Sequence, residues 1–100
     1  SFDIVGSATS HDLASGLSIV QNSRAGSTTI TNNGTWATDA SLYFRLYSDE
    51  IKNTDVVSVS TNRSILVMTV VSAGMVIINL TNKGASIAND SETIVNWAVL

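Results

Sequence analysis

Catalysis needs an acid, a base or a nucleophile set beside a partner group, and this 100-residue chain offers few of each. His11 is its single histidine. With no obvious acidic orienter, it reads as a surface residue rather than a general base. Fifteen serines are present, yet none stands in a Gly-X-Ser-X-Gly elbow, and a lone histidine leaves few possible triads. Gly6 and Gly16 lie too far apart for a phosphate loop. Asp49-Glu50 with Asp55, and Asp90 with Glu92, carry the oxygen ligands that calcium takes. Their spacing matches no EF-hand, and acidic residues in β turns are ordinarily solvated. The absence of cysteine removes disulfides and thiolate metal sites. The expectation is a non-enzyme with no catalytic, cofactor or metal site.

Residues suited to contact are easier to find. Tyr43, Arg45 and Tyr47 alternate along one segment, a combination of aromatic rings and a guanidinium that meets partners or sugars, or else covers a second sheet. Met68 and Met75 flank the turn Ser72-Ala73-Gly74 and suit either core gaps or an adaptable surface at an oligomer axis. Trp97 reads as a core anchor whose indole N–H finds a backbone carbonyl. Asn-X-Ser/Thr triplets begin at Asn33, Asn62, Asn79 and Asn89. In a chain so rich in Asn, Ser and Thr, about two or three arise by chance, so they carry little weight.

The elements that hold these residues are strands. Twelve of the sixteen residues from Ile65 to Leu80 are apolar, broken only around Ser72-Ala73-Gly74, which predicts two strands joined by a tight turn. A strand with one face on a core and one in water alternates. These two do not, so their second face is covered either within the domain or by another subunit. The candidate interface is accordingly Ile65, Val67, Met68, Met75 and Ile77, with Tyr43, Arg45 and Tyr47.

Ser41 to Tyr47 does alternate, with Leu42, Phe44 and Leu46 on one side. Further strands are predicted over 17–22, 27–31, 56–60 and 93–100, and a short edge over 2–5. Ser23 to Gly26 suits a hairpin turn, and Asn32-Asn33-Gly34 is the strongest turn signal. The only helix-like stretch is 10–15, a single turn that Ser10 can cap and too short to matter. No internal repeat stands out. Seven or eight short strands at intervals of about ten residues predict an all-β domain, an antiparallel sandwich or small barrel, over residues 1–100, with 1–15 a candidate docking arm.

A net charge of −3, with five scattered cations, argues against nucleic-acid binding. No apolar run reaches the roughly 20 residues that span a bilayer. No secretory signal is seen at the start, which fits a product made in a cytoplasm. Ser, Thr and Asn make up 35 residues against 13 charged ones, a balance usual in extracellular β domains and viral surface proteins.

The run Val71-Ser72-Ala73-Gly74-Met75-Val76-Ile77-Ile78-Asn79-Leu80-Thr81-Asn82-Lys83-Gly84, then Asp90 and the ending Ile94 to Leu100, resembles small β domains in virion structural proteins of tailed bacteriophages and other large DNA viruses. Thr38-Asp39-Ala40-Ser41 and Asp55-Val56-Val57-Ser58-Val59 are similar to the same pattern, so the resemblance covers about residues 27 to 100. It implies a structural role on the outside of a virion: a capsid decoration (cement) subunit, or the head of a fibre or spike. It implies no catalytic residues. The expected partners are a major capsid protein or other virion protein and further copies of the chain, with a trimer as the expected assembly. The alternative expectation is a cell-surface immunoglobulin-like module that binds a glycan or protein.

Overall fold

A computed structural model describes residues 10–13 and 17–100, and these form eight strands and no helix. The strands are β1 (Ser10–Leu13), β2 (Leu17–Val20), β3 (Ala25–Asn32), β4 (Ser41–Tyr47), β5 (Val57–Thr61), β6 (Ile65–Ser72), β7 (Met75–Asn82) and β8 (Glu92–Val99). Two four-stranded sheets, ordered β1-β3-β8-β5 and β2-β4-β7-β6, pack as a sandwich and not as a closed barrel. Alternation explains the layers. Ile30, Phe44, Leu46, Val76, Ile78, Leu80, Val95, Trp97 and Val99 point inward from both sheets and form the core. Val57 and Val59 join them from β5.

The two sheets are built alike. β1 pairs with β3 in parallel, and β2 with β4 in parallel, while the other strand pairings among the described residues are antiparallel. Two long loops, 33–40 after β3 and 83–91 after β7, meet at one end in a short antiparallel bridge between Trp36 and Ile87, N–H to O at 2.8 and 2.9 Å. Each loop is held by an asparagine that ends a strand of the other sheet. Asn32 Nδ2 donates to Ile87 O at 3.2 Å, and Asn82 Nδ2 donates to Trp36 O at 3.1 Å. Both loops then pass through an aspartate at positive φ, Asp39 at 67° and Asp90 at 63°.

Several expectations are corrected. Residues 10–13 extend as a strand instead of a helical turn, because β3 offers them a backbone ladder that one isolated turn cannot match. That strand takes up part of the candidate docking arm; the rest of the arm and the edge expected over 2–5 lie outside the described residues. Ser23 to Gly26 is not a hairpin turn, since β2 and β3 belong to different sheets. The crossing is fixed by distant partners: Ser23 N donates to Ser48 Oγ, and Ser48 Oγ donates to Ser23 O at 2.6 Å. Trp97 is buried as expected, but its indole N–H donates to the side-chain Oε1 of Gln21 at 3.1 Å, not to a backbone carbonyl.

Candidate assembly surface

The hairpin β6–β7 closes through Ala73 and Gly74, with Gly74 at φ 76°, and its register sets which side chains face out. Met75, Ile77, Asn79 and Thr81 of β7 lie opposite Ser72, Val70, Met68 and Leu66 of β6. On the other side of β7 they meet Tyr47, Arg45, Tyr43 and Ser41 of β4. Ser18 and Val20 of β2 extend the rows beyond Arg45 and Tyr47. The outer face of this sheet is therefore a field of Val20, Tyr47, Met75, Ile77, Val70, Tyr43, Met68 and Leu66 around a single charge, Arg45, with Asn79 among them and Ser18, Ser41, Ser72 and Thr81 at its margins. The Arg45 guanidinium lies 5.3 Å from the centre of the Tyr43 ring, where the negative face of the ring attracts it and both side chains are held in place.

Six of the eight candidate interface residues thus share one face: Tyr43, Arg45, Tyr47, Met68, Met75 and Ile77. Ile65 and Val67 do not. They have the opposite parity on β6 and pack against the core beside Val71. The outward residues of β6 are instead Leu66, Met68 and Val70, which keep 51%, 63% and 62% of their surface exposed. The second face of β6 and β7 is not covered within the described residues, so of the two alternatives left open by the sequence, those residues do not supply the first.

The other sheet makes a contrast. Its outer rows pair Ser58 with Ala98 and Ala25, Ser60 with Asn96 and Ser27, and Ile94 with Thr29. Val56 and Leu100, bonded to each other at one end, and Ile94 are the exposed large apolar residues there, and the rest of the described face is small or polar.

Elsewhere, nothing gathers for chemistry. Among the described residues, no three His, Cys, Asp or Glu side chains converge on a metal-sized site. Asp55 Oδ2 accepts the Lys52 N–H at 2.8 Å and closes its own turn. An open cleft of about 310 Å³ lies beside the Asn82 loop, with Arg63 on its wall. Arg63 spends its donors on the chain itself: Nε and Nη2 bond to Glu92 O at 3.1 and 2.7 Å, and Nε also reaches Thr93 Oγ1. His11 belongs to β1, and its side chain lies outside the described residues. Of the Asn-X-Ser/Thr triplets, Asn33, Asn62 and Asn89 stand in exposed loops, while Asn79 sits half-buried in β7 within the outer face, between Tyr43 and Met68.

No family model, no curated protein and no solved structure matches the chain.

Proposed function

We propose that the protein is a structural assembly subunit that acts by packing the outer face of sheet β2-β4-β7-β6 against other protein surfaces, and that its assembly is a virion exterior, as a capsid decoration subunit. The difference between the two outer faces supports this reading: one is mostly small or polar with apolar residues at Ile94, Val56 and Leu100, the other mostly apolar, with Asn79 and the one charge, Arg45, within it. Contiguous exposed apolar surface of a few hundred Å² or more marks interaction sites in soluble domains. The 27 residues of β2, β4, β6 and β7, at about 3.4 Å each with strands about 4.8 Å apart, project roughly 440 Å², somewhat over half of it from apolar residues. Covering the apolar part, roughly 250 Å², contributes about 6 kcal/mol at about 25 cal/mol per Å², within the roughly 4 to 15 kcal/mol that association costs. Such a face suits binding to a lattice where several weak contacts act together, and the virion setting rests on the resemblance carried by residues 27 to 100.

A second reading is favoured by the Arg45–Tyr43 stack with Tyr47 beside it: a cell-surface module that holds a glycan or protein on this same face. Immunogold electron microscopy of the producing culture, with antibody against the purified chain, separates the two. Label on the outer shell of particles is the expected outcome. Label on the cell envelope with glycan binding lost in Tyr43→Ala would favour the module, and label on neither would overturn both.

A further inference from the structure

The four sheet edges differ in a way that names a partner. β1 and β2 are four residues long and β5 five, and the outward residues of β5 are Ser58 and Ser60. Edges this short or this polar are poor templates for another strand. β6 is eight residues long, lies at the rim of its sheet, and reads Ile-Leu-Val-Met-Thr-Val-Val-Ser without a charge or a proline. Among the described residues no strand pairs with its outer rim, which presents backbone N–H and C=O groups along its length, and none of the usual devices blunts it.

We propose that a second copy of this chain occupies the β6 edge, β6 pairing antiparallel with β6 of the partner about a two-fold axis at Met68, so that two sheets fuse into one of eight strands. The inference rests on the reading of this face as an assembly surface. The strand is complementary to itself in that register. Met68 falls opposite Met68 of the second copy, Leu66 opposite Val70, Val67 opposite Thr69 and Ile65 opposite Val71. Leu66, Met68 and Val70 each meet an outward apolar residue and the residues of the other parity meet one another, as a two-fold interface requires, while Ser72 falls opposite Ser64 beyond the strand. The absence of charge on β6 means that two identical strands meet without like-charge repulsion, which opposite cations or anions would impose. Pairing satisfies both rims and doubles the outer face into a platform of roughly 900 Å², reaching the size at which specific interfaces are stable.

The chain has no cysteine, so single cysteines report the geometry cleanly. In the proposed pair the two Met68 positions are about 5 Å apart between Cα atoms, within disulfide reach. The two Ile77 positions are three strand spacings apart across the sheet and four residues apart along it, about 20 Å in all, and out of reach. Light scattering after size exclusion is expected to give twice the 10.5 kDa chain mass, about 21 kDa. Met68→Cys is expected to form an intermolecular disulfide on mild oxidation, and Ile77→Cys is not. Met68→Lys, at an exposed position that the fold does not need, is expected to return the mass to that of one chain with an unchanged circular dichroism spectrum. A single-chain mass for the unmodified protein at millimolar concentration overturns the pairing, as does a three-chain mass. Cross-linking through Ile77→Cys in place of Met68→Cys overturns it too, by indicating faces stacked rather than edges joined. These outcomes are independent of where antibody labels the culture, so the edge pairing and the virion role fail separately.

Discussion

Asn32 and Asn82 perform the same task from opposite sheets, each donating its side-chain N–H to the loop that follows the other, and they differ in one atom. Asn82 Oδ1 accepts the Gly84 N–H at 2.9 Å, an Asx turn that ties the asparagine to its own loop. The equivalent amide, Gly34 N, donates instead to Asn89 Oδ1 at 2.7 Å, and Asn32 Oδ1 is buried without a hydrogen-bond partner. The consequence for stability is unequal. Removing the Asn82 side chain strips Ala85 O and Gly84 N of the bonds it makes to them. Removing Asn32 leaves Ile87 O still bonded to Trp36 N, and Ala88 O still bonded to Ser91 N. Asn82→Ala is expected to cost about 2 to 3 kcal/mol and Asn32→Ala about 1 kcal/mol, measured by urea denaturation. Equal losses would mean that the Asx turn contributes nothing.

Gly26 lies directly opposite Trp97, and a methyl group there would meet Gln21 Oε1 and, at 3.0 Å, the Trp97 ring. Gln21 cannot simply withdraw, because its Oε1 holds the indole N–H and its Nε2 reaches Thr28 Oγ1 at 3.3 Å. Overpacking a filled site costs typically about 1 to 3 kcal/mol. Gly26→Ala is therefore expected to lower the thermal midpoint clearly and to shift the Trp97 fluorescence. A neutral result would show that the tryptophan has room to slide.

The parts of the fold legible in the sequence are those fixed by neighbours along the chain. Ser41 to Tyr47 declares both of its faces by alternation, and the hairpin of β6 and β7 is announced by two apolar runs around a glycine. What escaped is fixed by residues far apart. Ser23 to Gly26 has the composition of a hairpin turn, and only Ser48 and Trp97, far along the chain, send β3 to the other sheet. The likeness of the two loops was also hidden, although Thr31-Asn32-Asn33-Gly34 and Thr81-Asn82-Lys83-Gly84 stand fifty residues apart. The first loop reaches its positive-φ aspartate seven residues after the asparagine, the second eight, and one inserted residue is enough to blur a repeat between short segments. In the candidate surface, the outward residues of β4 were readable because its two faces differ. Those of β6 were not, because residues of either parity are apolar and only pairing with β7 decides which face meets water.

Asp39 combines two roles whose energies differ in size. Its carboxylate takes the Lys83 ammonium at 2.7 Å, but the side chains are 69% and 54% exposed, so water screens the pair. Its backbone sits at φ 67°, a region that Asn, Asp and Gly enter readily and β-branched residues do not. Lys83→Met and Asp39→Asn are each expected to change stability by less than about 0.5 kcal/mol, while Asp39→Val costs about 1 to 2 kcal/mol. Thermal denaturation at low and high salt checks both halves. A large salt-dependent loss in Lys83→Met would make the ion pair, and not the backbone conformation, the larger of the two contributions.

Val67 and Met68 are neighbours on β6 with opposite surroundings, and the pair tests the assignment of faces directly. Val67 packs against the core from within, whereas Met68 stands outside with most of its surface free. A lysine at position 67 must either bring its charge under the edge of the sandwich or pull the strand away from β7. A lysine at 68 enters water at once. Val67→Lys is expected to lose about 2 kcal/mol or more of unfolding free energy, and Met68→Lys less than about 0.5 kcal/mol, in urea titrations at concentrations low enough to keep the chain monomeric. The two values separate cleanly only while β6 keeps its register. A one-residue slip against β7 would exchange them, since it turns every side chain of the strand to the other face. If Met68→Lys proved the costlier change at low concentration, Ile65 and Val67 would be the outward residues and the apolar field would have to be redrawn around them.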